Sequence, residues 1–86
     1  MYLHLGSDVV VSGDDVIAIF DLDTSSISKD TRRFLEKAQK DGRVTDVSEE
    51  LPRSFVVVGD KKDFRLYVSP ISSHTLVKRQ TVINNL

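Results

Sequence analysis

Two pairs of aspartates have the spacing that phosphoryl chemistry would need. Asp21 and Asp23 lie two apart at the end of an apolar run, in Ile19-Phe20-Asp21-Leu22-Asp23-Thr24-Ser25, and Asp60 and Asp63 bracket two lysines in Gly59-Asp60-Lys61-Lys62-Asp63. A strand that delivers two carboxylates this way can offer the first as nucleophile toward phosphate and the second as general acid and base, with Mg²⁺ bridging nucleophile and phosphate. The second pair would then complete the metal site. The plainer reading is that Asp21 and Asp23 end a strand and lead into a helix N-terminus, where acids are favoured.

The first motif resembles the opening motif of haloacid-dehalogenase-like phosphohydrolases, and residues 59–63 resemble the acidic metal motif of the same family. The details diverge. Thr24 directly follows Asp23, where that family usually has glycine before its threonine, and the step from Asp60 to Asp63 is short. The fold that aligns those motifs is a doubly wound sheet much longer than 86 residues. Since function has to be argued from a complete site, no catalysis is expected.

Other catalytic and metal chemistry has little material. Cysteine is absent, which removes disulfides, thiolate catalysis and cysteine metal sites, and is compatible with a cytoplasmic home. His4 and His74 have no second histidine at ligand spacing, so structural roles are expected for both. There is no Gly-rich phosphate loop and no supported Ser/His/Asp set. No cofactor, metal or small-molecule substrate is expected.

The basic residues are the other candidates. Net charge is −1, but it is unevenly spread. Residues 1–27 carry five aspartates and no lysine or arginine; residues 28–52 hold six charges of each sign and cancel. Residues 53–86 carry Arg53, Lys61, Lys62, Arg65, Lys78 and Arg79 against Asp60 and Asp63, a balance of +4. Such a chain can present a basic surface or pair head to tail with a copy of itself. The bland alternative is a solvated surface with charges that happen to be uneven. Lys61-Lys62 at a turn is equally a solvated tip or a protruding phosphate contact.

These residues must be positioned by a small fold. Eighty-six residues with 40% hydrophobic content suit one globular domain with a modest core, taken as 2–81 with a fraying tail at 82–86. No apolar run approaches the ~20 residues that span a bilayer, and the first residues lack the pattern of a secretory signal. Tyr2–Leu5, Val9–Val11 and Val16–Phe20, separated by Gly6-Ser7 and Ser12-Gly13-Asp14, read as a β-meander. Asp23–Ser26 reads as cap chemistry before a helix whose inner face is Ile27, Thr31, Phe34, Leu35 and Ala38, ended by Gly42 in a left-handed conformation. Val44–Val47 is a short strand, and Phe55–Val58 and Phe64–Val68 form a hairpin across residues 59–63. Ser69-Pro70 ends that strand, and Ser72 or Ser73 caps a short helix from about Ser73 to Thr81. The expected fold is a small α+β domain, a mostly antiparallel sheet with one long and one short helix.

Three strands, Val9–Val11, Val16–Phe20 and Phe55–Val58, are continuously apolar, which implies cover on both faces. One long and one short helix are barely enough for that. Either both helices flank the sheet or a second subunit covers part of it; the second is the favoured expectation, and the charge polarity suits a heterologous contact which rotation closes into a ring.

With these elements placed, the chain is similar to the small extracellular matrix regulatory (Rem) family of Gram-positive bacteria, in its RemB-like branch. The residues that carry the resemblance are YLHLGSDVVVS at 2–12, VIAIFD at 16–21, PRSFVVV at 52–58 and above all YVSPISSHTLVKR at 67–79. The resemblance implies a DNA-binding transcriptional regulator of biofilm matrix genes. RemA-like members resemble LytTR-type DNA-binding domains and assemble as rings, so it also implies a LytTR-like fold and a ring-like homo-oligomer. Those members carry a Gly-Arg-Arg-Thr-Arg loop as the expected DNA contact. Here the matching loop is Ser48-Glu49-Glu50-Leu51-Pro52-Arg53, which leaves only Arg53, and Asp15 stands where those relatives tend to place a base. The expected nucleic-acid contacts are therefore Arg53, Lys61, Lys62, Lys78 and Arg79, mainly to phosphates. The other reading, favoured by Glu49-Glu50, is a subunit that co-assembles with a regulator without touching DNA.

Overall fold

A computed structural model describes residues 1–22 and 28–84, with side chains through Gln80. The chain runs β1 (Tyr2–Gly6), β2 (Val9–Ser12), a 3₁₀ turn (Gly13–Asp15), β3 (Val16–Asp21), α1 (Lys29–Lys40), β4 (Val44–Asp46), β5 (Ser54–Gly59), β6 (Phe64–Ser69) and α2 (Ser73–Asn84). A four-stranded sheet in the order β3-β5-β6-β4 is the middle layer. Its pairs are antiparallel except β4 with β6, which is parallel because α1 carries the chain across before β4 enters.

Alternation along the central strands decides what goes to each face. Val56 and Val58 of β5, with Tyr67 of β6, meet Leu3, Leu5, Val11 and Leu76, so the β1–β2 hairpin and α2 cover that face. Phe55 and Val57, with Leu66 and Val68, meet Phe34, Leu35 and Ala38 of α1 on the other. Two buried serines tie the first face together. Ser69 Oγ donates to Leu5 O at 2.6 Å and accepts from Ile71 N at 3.0 Å, and Ser54 Oγ donates to Ile71 O at 2.7 Å.

Three expectations change. The opening strands are not one meander: β1 and β2 pair with each other, while β3 pairs with β5. Leu3, Leu5 and Val11 can be buried only if the hairpin lies on the sheet, so the 3₁₀ turn moves the chain from one layer to the other. At β5 the first alternative holds, with α1 on one face and α2 and the hairpin on the other. Val10, on the outside of the hairpin, is 51% exposed and not covered on both sides. The C-terminal helix is also not short. At twelve residues it matches α1 and runs to Asn84 through most of the expected tail.

The caps are local and legible. Ser28 Oγ accepts from Thr31 N at 3.1 Å to start α1, and Ser72 Oγ accepts from Thr75 N at 3.2 Å to start α2. The earlier cap expected at Asp23–Ser26, and the inward place of Ile27, lie outside the described residues. Gly42, with φ +73°, closes α1: its N–H donates to Gln39 O at 3.1 Å and Arg43 N–H to Ala38 O at 2.9 Å. That pair of bonds is the Schellman arrangement.

Candidate nucleic-acid interface

Whether the five expected basic residues share a face is not legible in the sequence; the fold places them in three separate regions. Arg53 stands just before β5, and its backbone is held by Ser69 O and Leu22 N–H, both at 2.9 Å. Lys61 and Lys62 are on the turn that follows β5, so the strand, roughly 17–20 Å for a length of this class, lies between them and Arg53. Lys78 and Arg79 are exposed on α2, in the layer on the far side of the sheet from α1. Arg53 shares its end of the molecule with the exposed Glu49 and Glu50.

Lys61 and Lys62 have other company. With Lys37, Asp41 and Arg43 they rim a groove of about 340 Å³ whose floor is Phe34, Ala38 and Phe64. Phe34 and Phe64 stack at 5.5 Å between centroids. The Arg43 guanidinium lies 4.5 Å above the Phe64 ring and its Nη1 donates to Phe64 O at 2.8 Å. The stack and the hydrogen bond together fix its plane. α1 adds Lys29, Arg32, Arg33, Lys37 and Lys40 against Asp30 and Glu36, which makes this side of the sheet the basic one.

The 59–63 turn divides its charges between the faces. Asp60 Oδ1 accepts from Lys62 N and Asp63 N, both at 2.8 Å, and Asp60 N donates to Asp63 O at 3.2 Å. Gly59 opens the turn at φ +121°, a conformation that suits glycine. Asp60 and Asp63 line a cleft of about 460 Å³ on the hairpin side, with Asp15, Arg65 and Tyr67. The lysines line the groove on the α1 side. The hydrogen bonds from the Asp63 and Lys62 amides hold the Asp60 carboxyl below its ordinary value. The turn thus sends its acids to the hairpin side and its lysines to the α1 side, whereas Arg65 of the same basic C-terminal stretch lines the hairpin-side cleft and Lys78 and Arg79 lie on α2.

The aspartates do not form the phosphohydrolase set among the described residues. Asp21 pairs with Ser54 at one end of β5, and Asp60 lies beyond the other end. Asp23 is outside the described residues. Among those described, no group of three or more His, Asp or Glu side chains is arranged to hold a metal ion. No described helix is long and apolar enough to cross a membrane.

Lys37 and Arg43 were not among the expected contacts, because residues 28–52 cancel in charge when summed along the chain. The signal that could have found Arg43 is Gly42. A left-handed cap followed by a strand places the next residue at the end of the sheet, beside whatever turn closes the neighbouring strands.

The described residues form a small α+β domain with basic side chains gathered around one groove on the α1 side. A family model described as extracellular matrix regulatory protein A-like matches residues 2–80. The chain belongs to this Rem family. It is similar to extracellular matrix regulatory protein B of Bacillus subtilis (strain 168), with 43% identity over 79 residues that cover 92% of this chain and 89% of that protein. The similarity places it on the RemB-like side of the family, as the motifs at 2–12, 16–21, 52–58 and 67–79 imply.

Proposed function

We propose that this protein is a cytoplasmic transcription-regulatory protein of the extracellular matrix, or biofilm, type that binds DNA through phosphate contacts as an oligomer. The observation that carries this reading is the gathering of cations on the α1 side of the sheet, where Lys37, Arg43, Lys61 and Lys62 rim one groove. Phosphate contact is the mode it favours, because among the described side chains no helix presents a row of Arg, Asn and Gln that could read base edges. A LytTR-like mode of docking is part of this proposal. One subunit offers few cations, so a ring-like homo-oligomer would multiply them through effective concentration.

The test is a salt titration of fluorescent-duplex anisotropy. Binding should fall with salt, each neutralised phosphate contributing roughly −0.9 to the log–log slope on B-DNA. Absence of binding at low salt would remove this reading.

A second reading has its own observation. Ile17, 53% exposed, lines an apolar groove of about 340 Å³ with Phe20, Phe34 and Val57 beside β3, an edge strand of the sheet. With Glu49 and Glu50 exposed elsewhere, this favours a subunit that co-assembles with another regulator. Light scattering of the chain alone and mixed with a RemA-like relative separates the two: co-assembly without DNA binding is its signature.

A further inference from the structure

We infer that the groove between the end of α1 and the β5–β6 turn is the phosphodiester site, with Arg43 as a fixed fork and Lys37, Lys61 and Lys62 as point charges around it. This rests on the nucleic-acid reading above and specifies which surface carries it.

Arg43 is the centre because it is already ordered. Its ring stack at 4.5 Å and its bond to Phe64 O at 2.8 Å hold the guanidinium before any ligand arrives. Only Nη1 is engaged by that bond, and a guanidinium has five N–H donors, so donors remain for a phosphate oxygen. The rotamer entropy that a free arginine loses on binding has largely been spent in folding. Lysines at the exposed turn add charge without that geometry.

The end of α1 would ordinarily oppose an anion, since a helix C-terminus carries partial negative charge. Here its acceptors are occupied: Lys37 O takes Asp41 N–H, Ala38 O takes Arg43 N–H and Gln39 O takes Gly42 N–H. Lys37 and Lys40 near a helix end are accounted for by the helix dipole alone. That explanation does not reach Lys61, Lys62 or Arg43, which come from other elements and converge on the same groove. Asp41 is the one acid among the described lining residues. The competing surfaces are less favourable, with Arg53 beside Glu49 and Glu50, and Lys78 and Arg79 in the layer that holds Asp8, Asp14 and Asp15.

The experiment measures binding of full-length protein to a fluorescent DNA duplex of random sequence, with anionic phosphatidylglycerol vesicles as a second arm. The variants are Lys61→Glu/Lys62→Glu, Arg43→Lys, Arg53→Glu and Lys78→Glu/Arg79→Glu, each checked for a native circular dichroism melt. Lys61→Glu/Lys62→Glu should lose roughly tenfold or more in duplex affinity and give a shallower salt slope. Arg43→Lys keeps the charge but loses the fork, so it should weaken binding by several-fold; simple charge counting expects no change. Arg53→Glu and Lys78→Glu/Arg79→Glu should lose less than the lysine pair. Wild-type binding with both groove variants unaffected, or with larger losses in either comparison variant, overturns the groove assignment and leaves the DNA reading standing. No duplex binding by wild type, with or without vesicle binding, overturns both.

Discussion

The hairpin face and the α1 face of the four-stranded sheet are covered by the same chain through different means. On the hairpin face, Leu3, Leu5 and Leu76 are essentially inaccessible, and two buried serines bond to backbone groups of neighbouring segments. On the α1 face a single helix covers the sheet. Phe34 and Leu35 stay half-buried, β3 is left with an apolar groove, and the other end opens into the basic groove. Both faces hold fully buried side chains, Phe55 and Leu66 lying on the α1 face, but the single helix leaves the margins of its face open.

The comparison is tested most strongly by truncating one residue on each face. Leu76→Ala removes a fully buried side chain from the hairpin face and should cost about 2–5 kcal/mol in urea unfolding. Leu35→Ala on α1 should cost clearly less, since its side chain is only half-buried and its site can relax toward solvent. Equal losses would mean that the two faces carry stability alike.

Next in size is the serine link. Ser69→Ala leaves Leu5 O and Ile71 N without the hydroxyl that joins them in a buried site, at a cost of about 1–3 kcal/mol. Thermal melts should show the loss with unchanged secondary structure. A change within experimental error would show that water or a backbone shift replaces the hydroxyl.

These two sites also show what the sequence disclosed. The apolar faces of β5, β6 and α1 follow from periodicity, and Gly42, Pro70 and the capping serines mark element ends through backbone chemistry that any sequence reader can apply. The partner of β3 was not legible. Val16–Phe20 is apolar whether it joins Val9–Val11 or Phe55–Val58, and the choice depends on burying Leu3 and Leu5 from above, which is a tertiary condition. The length of α2 is not legible because Thr81-Val82-Ile83-Asn84 has weak helix propensity. For the site, Lys61 and Lys62 could be found as a turn. Their grouping with Arg43 could not, because it arises from a crossover helix and a parallel strand pair that bring residues 37, 43 and 61–62 to one end of the sheet. The separation of Arg53 from Lys61 is a matter of strand direction, invisible in a charge sum.

A smaller effect tests the cap that aims Arg43. Gly42 has φ +73°, and an added Cβ would meet nothing within 4 Å, so the cost of Gly42→Ala is conformational rather than steric against neighbours. It should be about 1–2 kcal/mol for a left-handed non-glycine residue, and less for Gly42→Asn, which tolerates that region better. If the cap also sets the groove, duplex affinity should follow the same order, glycine above asparagine above alanine.

The smallest effect belongs to Asp60, and its sign is fixed by the direction of its shift. The amides of Asp63 and Lys62 bond to the carboxylate and lower its pKa in the folded state. A group with a depressed folded pKa stabilises the fold fully above its unfolded pKa, and that contribution disappears as pH falls through the folded value. Asp60→Asn keeps an oxygen that can accept both amides but removes the charge. Wild type should therefore be slightly more stable than Asp60→Asn at neutral pH, and the gap should close as pH drops below the ordinary aspartate range. Asp60→Ala removes the acceptor as well, so it should show a larger neutral-pH loss, part of which persists in acid. The turn is fully exposed, and solvent screening keeps all of these differences small. The measurement is urea unfolding of the three proteins across the acid limb. A wild-type advantage over Asp60→Asn that stays constant with pH would show that the charge on Asp60 does not hold the turn. The division of its acids and lysines between the two faces would then need another cause.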